Sequence, residues 1–214
     1  TASPRIRFSS CVAPTASELH RAMDKLTPAD LLPLEAYHRE RSRLRAEVLA
    51  HKRNRQVGIG PNVTLYFEDR ITMRYQVQEM LRVERIFESE AIAEELEAYN
   101  PLIPDGANLK ATMMLEYPDV EERRKALAEL GGIEHAVYVE VGGKRALASA
   151  DEDLPRTEAD KTAAVHFLRF ELDDASRAAL KAGASLKLGV DHARYRHEVE
   201  ASAAVRASLA ADLD

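Results

Sequence analysis

The chain has 214 residues, 45% of them hydrophobic and 31% charged, with a formal net charge of −6 and one cysteine. That balance belongs to a globular protein long enough to bury a proper core, and the charge argues against whole-surface attraction to nucleic acid or anionic lipid. A single thiol, Cys11, cannot build an internal disulfide, a cysteine-rich zinc site or a self-contained iron–sulfur cluster, and no run approaches the roughly 18 apolar residues a membrane helix requires.

Residues 1–22, TASPRIRFSSCVAPTASELHRA, are rich in Ser, Thr, Pro and Arg, and are expected to be a non-core extension. The pattern resumes at Met23, and residues 23–214 are expected to form a single α+β domain. Thr27, Pro28 and Asp30 have the order of an N-cap, a proline at the first helical position and an acid in the first turn. Leu34, Tyr37, Arg41, Leu44 and Val48 recur at helical steps and predict a helix from about 33 to 51. The basic stretch HKRNRQVGIGPN follows as a loop, because Gly58, Gly60 and Pro61 interrupt regular structure.

VTLYF and ITMRYQ alternate and predict a hairpin about Glu68–Arg70. A helix follows from Tyr75, then AIAEELEAYN, ended by Pro101 and Pro104. LKATMMLEY predicts a strand with Leu109, Ala111, Met113 and Leu115 on one face. DVEERRKALAEL predicts a helix capped by Asp119 and closed by Gly131 and Gly132. IEHAVYVEV and KRALAS flank Gly142-Gly143, the strongest hairpin signal in the chain. An acidic loop spans 151–160. TAAVHFLRFEL then predicts a strand, DDASRAALKAG a helix, ASLKLGV a strand, and Asp191 the cap of a final helix over 193–209. Hairpins interspersed with helices predict an α+β fold with a largely antiparallel sheet.

The segment YQVQEMLRVERIFESE carries two glutamates on what a helical wheel makes its apolar side. With Val77 at the origin and ~100° per residue, Met80, Leu81, Val83, Ile86 and Phe87 fill a broad arc. Glu84 falls near its middle and Glu79 nearer its edge. A buried carboxylate demands a partner, since losing its hydration costs several kcal/mol. Glu84 is therefore expected to meet an arginine in a structural pair, or to serve as a ligand or an acid/base group. Glu79 is expected to snorkel.

Seven histidines are available as partners. His166 alternates with Ala164, Leu168 and Phe170 and so points inward. It is either a hydrogen-bonded core residue or, if it meets Glu84, half of a catalytic proton-transfer pair. GVDHARYRH places Asp191, His192 and Tyr195 at an expected strand-to-helix junction, a candidate ligand corner whose simpler reading is a helix cap. The segment 35–55 holds six arginines and one lysine against three glutamates. Its Arg39, Arg43, Lys52, Arg53 and Arg55 are candidates for binding an anion or nucleic acid, or for a solvated helix face. VGIGPN lacks the spacing of a nucleotide-binding loop, and no metal site is predicted.

FEDRITMRYQVQEMLRVERIF, YNPLIPD, LKATMMLEY and GVDH with Tyr195 together resemble one bacterial family of unknown function, DUF3501. The likeness runs from Met23 to about Leu209 and is densest over 67–105. The resemblance carries no established activity and no cofactor. It implies a redox setting, because members tend to be encoded beside a rubrerythrin-like protein and an iron–sulfur oxidoreductase. The expectation is a cytoplasmic accessory protein of such a partner, without membrane attachment and with homo-oligomerisation left open. The alternatives are a small-ligand or metal-binding enzyme, and a nucleic-acid binder through 35–55.

Overall fold

The computed structural model describes residues 24–150 and 162–214. The expected N-terminal extension and acidic loop lie outside the described residues. Among the described residues, nine strands form two wholly antiparallel sheets: β1 (Gln56–Ile59), β2 (Val63–Glu68), β3 (Asn108–Leu115), β4 (Val137–Val141), β5 (Lys144–Leu147), β6 (Ser149–Ala150), β7 (Val165–Glu171), β8 (Leu186–His192) and β9 (Tyr195–Glu200). One sheet has the order β1-β2-β3-β7-β6 and the other β5-β4-β8-β9. Six α-helices among the described residues accompany them: α1 (Leu34–Lys52), α2 (Arg70–Glu84), α3 (Ser89–Tyr99), α4 (Val120–Glu129), α5 (Asp174–Lys181) and α6 (Ala203–Ala210). The fold is α+β, and no helix among the described residues is long and apolar enough to cross a membrane.

The central strands obey the period of two. Leu65 faces Met113, which faces His166, and Phe67 faces Ala111, which faces Leu168. All six are buried, so one face of three neighbouring strands becomes a continuous inner wall. The two sheets share a single core, to which the second contributes Val139, Leu186, Leu188 and Val190. Each such side chain contributes roughly 1.5–3 kcal/mol by leaving water.

The sheets are joined at both edges. At one, β5 pairs with β4 and β6 pairs with β7, so the chain changes sheet at Ala148 while its amide still donates to the Val137 carbonyl, 2.9 Å away. At the other, the Tyr195 hydroxyl of β9 donates to the Ile59 carbonyl (2.6 Å) and accepts the Asn62 and Val63 amides (3.0 and 3.1 Å). Gly60 is required there: a Cβ on it would meet the His197 ring at 2.6 Å, and its φ is +70°. Gly142 and Gly143, at φ of +56° and +90°, make the expected hairpin turn between β4 and β5.

A second apolar cluster, Leu26, Met73, Val77, Leu81, Leu96 and Ile103, packs α2 against α3 and the segment entering a short 3-10 turn, Pro28–Asp30. Thr27 is the N-cap of that turn, as expected, and Asp30 completes a capping box with it.

Two expected elements are corrected. ITMRYQ is not a strand: Asp69 accepts the Thr72 amide (2.8 Å) while the Thr72 hydroxyl accepts the Asp69 amide (3.0 Å), and this reciprocal cap starts α2 at Arg70. The partner of β2 in the hairpin is instead β1, inside the stretch expected to be a loop. The final helix does not begin at Asp191. β8 runs on to His192, turns through Ala193 and Arg194, and returns as β9, with Asp191 facing Arg196 and His192 facing Tyr195. α6 starts only after Ser202, whose hydroxyl accepts the Val205 amide.

Candidate functional site

The helices α1 and α2 lie antiparallel, held together at two points. At one, Arg41 of α1 grips Glu79 of α2 with both arms, Nε to Oε1 at 2.7 Å and Nη2 to Oε2 at 2.8 Å. Tyr37, one turn earlier on the same face of α1, donates its hydroxyl to Glu79 Oε1 at 2.5 Å, and Arg82 reaches Oε2 at 3.3 Å. The Arg41 bonds hold the Glu79 carboxyl down to about 2. At the other point His51, in the last turn of α1, meets Asp69, the cap of α2, at 2.5 Å.

Between these clamps the helices do not close. A cavity of about 250 Å³ opens there, with apolar walls from Leu32, Leu44, Val48 and Ile71. Gln78 lines it and is fixed by accepting the Leu32 amide (2.8 Å) and donating to the Leu32 carbonyl (3.0 Å). Ile71, Arg74, Tyr75 and Gln78 all line it, as the three- and four-residue steps of one helix face require.

Behind the second clamp lies a buried ionic network. The Arg55 side chain is 2% exposed and pairs with Asp212 through both nitrogens of its fork, with Asp69 at 3.4 Å, and with the carbonyls of Phe67 and Glu68 at 3.1 Å. Burial opposes the charge on Arg55, but Asp212 and Asp69 outweigh it and raise its pKa. Burial also pushes Asp69 upward, yet the bond from His51 and the charge of Arg55 hold it below the ordinary carboxylate range. Asp212 is pushed up to about 6 by burial, against the pull of Arg55. Glu68 sits beside this network, accepting the hydroxyls of Thr72 (2.6 Å) and Thr112 (3.0 Å).

The remaining sequence candidates fall in separate places. Glu84 does not face inward: it is exposed in the last turn of α2, because the buried stripe is the narrow one of Met73, Val77 and Leu81. The internal glutamate–arginine pair belongs to Glu79. His166 is fully buried as expected, but its described neighbours are the Thr162 hydroxyl at 2.8 Å, the Ala163 carbonyl at 3.1 Å and the buried Glu134 at 3.8 Å. Tyr195 is the bolt between the sheets. Asp191 binds Arg196 at 2.6 Å, and His192 contacts the Gly131 carbonyl at 3.3 Å and accepts the Arg194 amide. This corner is a hairpin, not a helix terminus.

Within the basic segment, Arg39 pairs with Glu35, Arg41 with Glu79 and Arg43 with Glu40 and Glu47, while Arg55 is buried. Arg53 is exposed beyond the end of α1. Glu35 and His38, an E-x-x-H spacing, both lie on the exposed side of α1. No three His, Cys, Asp or Glu side chains converge as metal ligands among the described residues.

Sequence reasoning missed Arg41 as the partner of Glu79, and it missed Asp69, Glu134 and Asp212. Tyr37 and Arg41 at i and i+4 was the one local signal available for the first. Asp212 stands 157 residues from Arg55, beyond the reach of any local pattern.

These features define an α+β protein of two edge-joined antiparallel sheets carrying a clamped helical pair with a cleft. The chain belongs to the DUF3501 family of proteins of unknown function, whose model matches residues 25–213. It is similar to a protein of unknown function from Burkholderia pseudomallei K96243 with a crystal structure, at 52% identity and a TM-score of 0.85, over 89% of this chain and 100% of that one. No curated protein matches it.

Proposed function

We propose that the protein is a cytoplasmic accessory protein that docks onto a redox partner, an iron–sulfur oxidoreductase or a rubrerythrin-like protein. The observation that carries the docking is the end of α2. Val83 is 57% and Phe87 71% exposed, although large apolar side chains this open are costly to leave in water. Phe87 is held out by the backbone. Arg85 adopts the left-handed conformation at φ +57°, and the amides of Arg85 and Ile86 both donate to the Leu81 carbonyl. This closes the helix and lets Ile86 pack on the α2–α3 cluster while Phe87 turns away. An exposed aromatic at a fixed position is the kind of anchor that protein interfaces use. The redox identity of the partner rests on the family resemblance.

The test is co-purification under gentle lysis of the tagged protein with Phe87 intact and as Phe87→Asp. Recovery of an iron-containing partner by the first and its loss with the second supports the reading. Recovery of the protein alone in both cases overturns it.

A further inference from the structure

We propose that the cavity between α1 and α2 binds a small carboxylate with an apolar body, its charged end at Arg74 and Tyr75. Most of the polar side chains around the cavity are already satisfied within the fold. Asp30 pairs with Arg70, Tyr37 with Glu79, Arg43 with Glu40 and Glu47, and Gln78 with the backbone of Leu32. Arg74 and Tyr75 differ: no hydrogen bond or ion pair falls to either among the described residues, though both line the cavity.

Arg74 and Tyr75 each bring hydrogen-bond donors to the cavity lining, and the guanidinium fork of Arg74 suits a planar anion. The lining favours a single negative charge, since Asp30 and Arg43 are already paired within the fold and Arg74 alone remains to be matched. The apolar portion follows from the walls. Leu32 and Ile71, at 40% and 44% exposure, are among the most open large aliphatic side chains, and both face this cavity. Covering them with a hydrocarbon or aromatic body would remove apolar surface from water. A volume of about 250 Å³ suits a compact molecule, below the span typical of larger ligands. The two clamps set the helix separation in advance, so the site is formed before the ligand arrives.

The test uses sodium hexanoate and sodium benzoate as probes, with hexanamide and benzamide as neutral controls, followed by amide chemical shifts of the full chain. The expected result is saturable shifts at Leu44, Val48, Ile71, Arg74 and Tyr75 below about 10 mM, a range fitting so small a ligand. Affinity should fall about tenfold or more for the amides and for Arg74→Gln, the loss of one charge-assisted contact. Arg74 is exposed, so that variant keeps the fold, and Phe87→Asp should leave the titration unchanged. Absence of saturable shifts, equal binding of acid and amide, or an equal response to inorganic phosphate would each overturn the proposal.

Discussion

Arg41 and Glu79, 38 residues apart in sequence, meet in a two-armed pair with bonds of 2.7 and 2.8 Å. Glu79 sits on the same turn-by-turn surface that α2 uses to approach α1, so a carboxylate at a helix–helix seam becomes the point where the seam is fixed. Replacing it by Gln leaves the size unchanged and removes the charge. Glu79→Gln is expected to lower the melting temperature by roughly 1–4 °C, the scale for a lost partly exposed ion pair in a chain of this size. Tyr37→Phe, which removes one buried hydroxyl from the same group, costs about 1 kcal/mol. Calorimetry of the three proteins checks both.

The same pair sets a pH dependence. Glu79 is held at about 2 in the fold against an ordinary 4.5, so its contribution is complete above 4.5 and is lost as pH falls toward 2. The stability gap between the protein and Glu79→Gln should narrow across that interval. Urea unfolding at pH 7, 5, 4 and 3 measures it; a gap that widens on acidification contradicts the assignment.

Arg55 is the deeper electrostatic commitment. Truncating it to Ala strands Asp212 in a dry site and leaves Asp69 to His51 and the Thr72 amide, and breaking a buried pair from one side costs about 3–5 kcal/mol. The double variant Arg55→Met with Asp212→Leu removes both charges and should recover much of that loss. Denaturant midpoints of the single and double variants separate a network that stabilises from one that merely tolerates its own charges.

Gly189 and Tyr138 face each other across β8 and β4. A Cβ on Gly189 would lie 2.3 Å from the phenol ring, so the tyrosine lies over the glycine and ends on Glu198 at 2.7 Å. Gly189→Ala should therefore cost about 1–3 kcal/mol, the scale of forced overpacking. Gly58→Ala, in β1 with nothing within 4 Å of the new Cβ, should be neutral or stabilising. Arg85→Gly, which relieves the left-handed strain, is expected to stabilise by about 0.5–1 kcal/mol.

Much of this architecture was legible because its rules are local. The inward faces of β3 and β7 follow from strict alternation, Asp119 caps the helix it precedes, and the Gly-Gly turn admits little else. The errors arose where two periods overlap. Ile71, Met73 and Tyr75 alternate like a strand, yet Met73, Val77 and Leu81 also repeat at four, and the Asp69–Thr72 cap decides for the helix. The same overlap misplaced Glu84: with six apolar residues in a wide arc, the wheel could not say which half would be buried. RYRHEVE was absorbed into an alanine-rich helix because pairing with β8, which overrides propensity, is invisible in the segment itself. The site was less legible than the fold. Arg74 and Tyr75 are ordinary residues on a helix face until α1 crosses them.

The end of α2, with Phe87 at its tip, is the proposed docking surface for a redox protein. A photo-crosslinking amino acid placed at Phe87 in native cells, with a second at Leu147 as an equally open apolar control at 65% exposure, tests it most directly. The expected result is a crosslink at 87 to an iron-containing redox protein and none to that protein at 147. Crosslinks of the same pattern at both positions, or none at 87, would contradict it.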